Sequence, residues 1–158
     1  LGGWPRSPIE PPSGTITTDR PFSEIPVGWL SIRLNSLLDV PTMYVLRSHD
    51  ELVALRNFSI GTGPKWDDPS DLPDIDFEKE LVIALIDVDE PTGGYTIGVD
   101  RLEETPDGII VRATKETPAP WSVTSQAFTF PRQVIKTATT DKSFFLSLRV
   151  GWAVSLRH

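Results

Sequence analysis

The chain contains no cysteine. That absence removes disulfides, zinc–thiolate sites and thiol nucleophiles, and it leaves the redox compartment open. Histidine is almost as scarce, occurring only as His49 and His158. Ser48-His49-Asp50 holds the residue types of a catalytic triad, but neighbours in sequence cannot adopt triad geometry. Gly-x-Ser-x-Gly, P-loop, Gly-x-Gly-x-x-Gly and His-Glu-x-x-His patterns are all missing. The acidic pair Glu103-Glu104 does not replace them, because adjacent strand residues point to opposite faces and cannot flank one bond. No apolar run reaches the eighteen or so residues of a membrane-spanning helix. Bases are also in deficit: 15 Lys and Arg against 22 Asp and Glu give a formal charge of −7. A chain of that sign without a basic stripe does not suit a nucleic-acid partner. The sequence thus reads as non-enzymatic, with no cofactor.

What is present suits one globular domain. The 158 residues can bury a real core, and 39% apolar with 23% charged residues is ordinary for a folded protein. The charge is uneven. Residues 67–90 hold ten acids and only Lys79 as a base, so this segment carries −9 and the remainder +2. The plain reading is a solvated acidic loop. Asp67, Asp68, Asp71, Asp74 and Asp76 offer hard oxygen ligands, yet they lack the spacing of an EF-hand calcium loop, so no metal is expected.

Residues 1–27 read as a proline-rich tether or leader, with Pro5, Pro8, Pro11, Pro12, Pro21 and Pro26 favouring extended conformations. A start at Leu1 fits either the edge of an excised segment or a mature chain whose signal segment has been removed. Residues 28–158 read as a single β-rich domain. Leu30, Ile32 and Leu34 alternate with polar residues and predict a strand from Trp29; a second short strand follows over 42–46. Ser48 with Glu51 is a capping-box pair that opens one helix, with Leu52 and Leu55 on its apolar face and an end near Asn57. A long surface loop is expected over 61–76.

Residues 81–104 organise the rest. Leu81-Val82-Ile83-Ala84-Leu85-Ile86 is an unbroken apolar run, as expected of a strand covered on both faces. Pro91-Thr92-Gly93-Gly94 makes a turn, and Tyr95, Ile97 and Val99 alternate in a returning strand. Pro106-Asp107-Gly108 signals a hairpin into a strand over 109–113. A strand interrupted at Pro131 is expected over 122–136. Alternation from Phe144 to Leu156 predicts a long last strand with seven large apolar residues on one face and a bend at Gly151. The fold class is mainly β with one capped helix: about seven mostly antiparallel strands, as a barrel-like or a two-layer sheet.

Two loops carry unusual chemistry. Pro91, Thr92, Gly93, Gly94 and Tyr95 place exposed backbone beside an aromatic ring. Pro118, Pro120 and Trp121 present an indole on a stiff segment. Rigid aromatic anchors of this kind form binding surfaces at low entropy cost. The other reading makes Tyr95 and Trp121 rim aromatics of the core and the glycines simple turn formers.

Several of these motifs resemble the PrcB-like family, the C-terminal domain of the protease complex subunit PrcB. They are Asp76-Phe77 before the apolar strand, Pro91-Thr92-Gly93-Gly94-Tyr95, Glu116-Thr117-Pro118-Ala119-Pro120, and Val123 to Pro131 with its Ser125-Gln126-Ala127 run. The resemblance covers roughly residues 42–136. It implies a non-catalytic, extracytoplasmic bacterial domain, of the cell envelope or secreted and in some cases lipid-anchored. Its implied partner is a protein, in the namesake a subtilisin-type protease. Trp121 stands where the family has a small residue, and Phe130-Pro131-Arg132 replaces a Tyr-Pro-Tyr pattern. A weaker similarity links Pro91 to Tyr95 with the inhibitory loop of chagasin-type peptidase inhibitors, and Ala119-Pro120-Trp121 with their Arg-Pro-Trp loop. It implies direct peptidase inhibition through residues 91–95 and 118–121. A small-ligand-binding domain is the third reading.

Overall fold

A computed structural model describes residues 17–61 and 71–152. Ten elements follow in order: β1 (Thr18–Arg20), β2 (Phe22–Ile25), α1 (Arg33–Leu37), β3 (Thr42–Leu46), α2 (His49–Ile60), β4 (Glu80–Ile86), β5 (Thr96–Thr105), β6 (Gly108–Thr117), β7 (Arg132–Ala138) and β8 (Phe144–Trp152). They build two four-stranded sheets, β1-β5-β6-β8 and β2-β7-β4-β3. All strand pairs are antiparallel except β6–β8, which is parallel. The fold is therefore mainly β in two packed sheets, not a closed barrel.

β4 sits inside this arrangement, as its unbroken apolar run requires. Leu81, Ile83 and Leu85 face the space between the sheets, where they meet Leu102, Ile109, Val111, Ile135 and Leu146. Val82, Ala84 and Ile86 face the other way, against Trp29, Leu30, Leu34, Leu52 and Leu55. Helices thus cover the back of the second sheet, and β4 is buried on both faces. Each fully buried Leu or Ile contributes roughly 1.5–3 kcal/mol as an upper estimate.

The capped helix forms as its sequence dictates. Ser48 Oγ accepts the Glu51 N–H. The Glu51 carboxylate reaches back one residue further than a capping box requires and accepts the Arg47 N–H. The helix runs one turn beyond Asn57, to Ile60, where Gly61 at φ 62° stops it. Gly108, at the hairpin between β5 and β6, has no room for a side chain. A Cβ at Gly108 would lie 2.6 Å from Phe145 Cε2 and 2.8 Å from the Ser143 carbonyl. Thr105 Oγ1 closes the same hairpin, accepting from Asp107 N and Gly108 N.

Three expectations are corrected. The strand at Trp29 is a turn leading into α1. Its buried residues include Leu30 and Leu34, and also Ser31 and Asn35, so burial recurs at four-residue spacing. Leu30 and Leu34 satisfy a period of two and a helical period alike. Ser31 Oγ accepts the Arg33 N–H and starts the helix. Second, residues 122–131 form no strand beyond one bridge, Thr129 with Glu90; β7 begins only after Pro131, which has no N–H to give a ladder. Third, β8 does not bury its apolar face throughout: Leu146 is buried, but Val150 and Trp152 are exposed. Val154 and Leu156 lie outside the described residues. The ladder of β8 with β6 runs to Trp152, and the chain beyond the expected bend at Gly151 lies outside the described residues; β5 has a bulge between Val99 and Arg101. The returning strand β5 lies in the other sheet from β4. Residues 18–25, read as the end of the leader, are strands paired with β5 and β7; residues 1–16 lie outside the described residues.

Candidate functional site

The two loops singled out by sequence meet at one end of the molecule. Residues 87–95 leave β4 and cross to β5 in the other sheet; residues 118–131 leave β6 and cross back to β7. Their backbones are tied together. Gly93 N donates to Ser125 O at 3.1 Å, and Glu90 and Thr129 exchange two bonds of 2.9 Å. Thr129 Oγ1 donates to Thr92 O at 2.8 Å. Gly93 lies close against the second loop: a Cβ on it would sit 2.7 Å from Ser125 Oγ, which would have to turn away. Gly94 has φ 92°, a conformation that glycine adopts without steric cost.

This pairing leaves an apolar surface. Trp121 is 75% exposed and Trp152 56%. Their rings meet edge to face at 5.1 Å and 83°. Val123, Phe128 and Val150 are also exposed. Pro91, Gly94 and Pro120 are exposed, Thr92, Gly93 and Pro118 half-buried. The two readings of the aromatics therefore divide. Trp121 is a projecting indole on a stiff loop, whereas Tyr95 is a half-buried rim residue with Lys115 Nζ 5.8 Å from its ring centre. Phe128 and Phe130 also line an open apolar depression of about 420 Å³ with Ile32, Arg33, Ser36 and Asp89.

Beneath the first loop lies a cluster absent from the sequence reading. Lys115 Nζ donates to Asp87 Oδ1 at 3.0 Å and to Glu90 Oε2 at 2.7 Å. Asp87 is fully buried and Glu90 nearly so. Asp87 Oδ1 also accepts the Val88 N–H at 2.8 Å, while Oδ2 is buried without a hydrogen-bond partner. Burial pushes the Glu90 carboxyl up, and the hydrogen bond and charge of Asp87 push it further, against the pull of Lys115. Burial alone would lower the Lys115 ammonium, but the two carboxylates together raise it. Extending the alternation finds both partners. Asp87 continues the inward face of Leu81, Ile83 and Leu85, and Lys115 that of Ile109, Val111 and Ala113. Asn35 holds the cluster's backbone from behind, donating from Nδ2 to Asp87 O at 2.9 Å and Pro131 O at 3.0 Å.

Residues 81–138 match the family model described as PrcB C-terminal. Over these residues the chain is similar to that family. The matched segment runs from the start of β4 to the end of β7 and takes in both crossing loops, Asp87, Glu90 and Lys115, while Trp152 and Val150 lie beyond it. No curated protein and no solved structure gives a significant match. Among the described residues, no three His, Asp or Glu side chains converge as a metal site would require, and no helix is long and apolar enough to cross a membrane. Asp67 and Asp68 of the acidic segment lie outside the described residues.

Proposed function

We propose that this chain is a non-catalytic protein-interaction domain of the bacterial cell envelope, which binds or stabilises a protease of subtilisin type. The binding surface runs from Pro91, Thr92, Gly93, Gly94 and Tyr95 to Pro118, Pro120 and Trp121. The observation that carries this reading is the exposed Trp121–Trp152 pair on the tied loops, within and beside the PrcB-like segment. Projecting aromatics on braced loops are what interfaces use as anchors. Lipid anchoring through a segment preceding the domain belongs to the same proposal.

Capture from an envelope extract of the native organism tests it, with wild type and Trp121→Ala as baits. Enrichment of one peptidase by wild type alone supports the reading. Equal recovery by both baits would remove Trp121 from the surface. The adjacency of the two loops favours a second reading, direct inhibition of a peptidase in the manner of the chagasin-type proteins, since both loops can enter one cleft together. Tight-binding inhibition of a papain-like or subtilisin-like enzyme would support it; a full panel without inhibition would reject it.

A further inference from the structure

We propose that Lys115 and Asp87 condense spontaneously to an intramolecular isopeptide bond that cross-links the two sheets, with Glu90 as the proton carrier. The inference goes beyond the binding reading and does not depend on it.

The geometry brings the three groups together in a nearly dry site. Lys115 projects inward from β6 in one sheet, and Asp87 inward from the end of β4 in the other. The Lys115 amine is 3.0 Å from Asp87 Oδ1, and Glu90 Oε2 is 2.7 Å from the same nitrogen. Asp87 is fully buried, and the side chains of Lys115 and Glu90 are only 13% and 10% exposed. The Tyr95 ring lies over the amine. Reactants held this way need no encounter, which is the largest entropic part of a condensation barrier. Two carboxylates and one ammonium in a buried site are also costly as ions, since desolvation opposes all three. Converting one pair to an amide removes two of those charges.

Asp87 is arranged unequally for this step. Oδ1 has the Val88 N–H at 2.8 Å, a fixed donor that stabilises negative charge on that oxygen when the carbon becomes tetrahedral. Oδ2 has no partner and is buried. Glu90 shares the Lys115 amine with Asp87, so a proton that it takes from Nζ is carried to a group beside this oxygen.

The reaction balances without another reagent. Glu90 takes a proton from Nζ, whose lone pair then forms the bond to Asp87 Cγ. The Cγ–Oδ2 bond breaks. Oδ2 leaves as water with the two protons that Nζ gives up, one of them relayed through Glu90. Oδ1 remains as the amide carbonyl on the Val88 N–H. An ammonium and a carboxylate become one amide and one water, with no change in oxidation state and Glu90 restored.

Intact-mass spectrometry of the purified, denatured full chain tests the proposal. The expected mass is lighter than the sequence mass by one water. A tryptic digest is expected to yield a branched peptide that joins the segments containing Asp87 and Lys115, with no cleavage after Lys115. Glu90→Gln, folded by circular dichroism, is expected to show the full sequence mass. Asp87→Asn, which releases ammonia in place of water, is expected to reach the same cross-linked mass as wild type. A wild-type chain at full mass overturns the proposal. So does a missing water that maps to a succinimide at Asp107-Gly108. Complete cross-linking in Glu90→Gln overturns the role given to Glu90.

Discussion

Gly94 lies so close to Pro118 that a Cβ on it would sit 2.9 Å from the proline Cβ. This contact fixes the relation between the two crossing loops, because each residue is the stiffest or most permissive point of its own loop. Pro118 cannot change φ, and Gly94 holds a φ of 92° that side chains rarely adopt. Gly94→Ala therefore strains the backbone and forces the loops apart. A loss of about 1–3 kcal/mol is expected in urea unfolding. Partner binding should fall further than that of a variant equally destabilised in the distant core, such as Leu52→Val.

Trp121→Ala should behave in the opposite way. The indole is mostly exposed, and its edge-to-face contact is with Trp152, itself more than half exposed. Surface substitutions of this kind change stability by about 0.5 kcal/mol or less. The thermal midpoint should stay close to wild type while partner capture is lost. A large drop in the midpoint would show that Trp121 is a core-rim residue, and the binding reading would lose its anchor.

How far the sequence was legible follows from these residues. β4 could be read because a strand covered on both faces leaves a continuous apolar run, and few other structures do. The loops could be read because Pro91, Gly93, Gly94, Pro118 and Pro120 constrain backbone locally. That the loops touch could not be read, since Gly94 and Pro118 meet only through the crossing of two sheets. The strand assigned at Trp29 failed because Leu30 and Leu34 are compatible with both periods. The burial of Val150 and Trp152 failed because alternation reports which face a residue shares, not whether anything covers that face. Lys115 and Asp87 were missed because a charged residue at the end of an inward apolar row resembles the point where the core stops.

Glu103 gives a pH-dependent prediction. Burial would raise its carboxyl, but hydrogen bonds and charge from Arg101 and Arg112 together hold it below the ordinary carboxylate value. A carboxyl lowered in the folded state binds protons less tightly there than in the unfolded chain. Its contribution is present above the ordinary value and is lost as pH falls through the folded value. Glu103→Gln should cost about 1–2 kcal/mol at neutral pH. The gap to wild type should close in denaturant curves taken at progressively lower pH below about 4.5. A constant gap would mean that the two arginine contacts do not couple to folding.

Ser48→Ala removes the side-chain oxygen that accepts Glu51 N–H at 3.2 Å. A lost cap of this type costs about 1 kcal/mol. Because Leu52 and Leu55 of the same helix lie in the core behind β4, the loss should appear in global unfolding and not only as local fraying. Ser48→Asp, which restores an acceptor, should recover most of it.

Asn35 is the link between the helical layer and the site. Its Nδ2 donates to the carbonyls of Asp87 and Pro131, the second of which also accepts the Asp87 N–H, and its backbone carbonyl accepts the Asp89 N–H at 3.2 Å. One residue therefore holds the start of the first loop and the end of the second. Asn35→Ala leaves the Asp87 carbonyl without its side-chain donor and the Pro131 carbonyl with only the Asp87 N–H, and a loss of roughly 1–3 kcal/mol is expected. Asn35→Asp is the sharper comparison. It keeps the size but replaces the donor with an acceptor facing two carbonyls, so it should be at least as damaging as alanine above the aspartate pKa. In both variants, hydrogen exchange should speed up at the amides of Glu90 and Thr129, which bridge the two loops, before it does so in β5 and β6. Uniform acceleration across both sheets would mean that Asn35 supports the fold at large and does not selectively brace the loops.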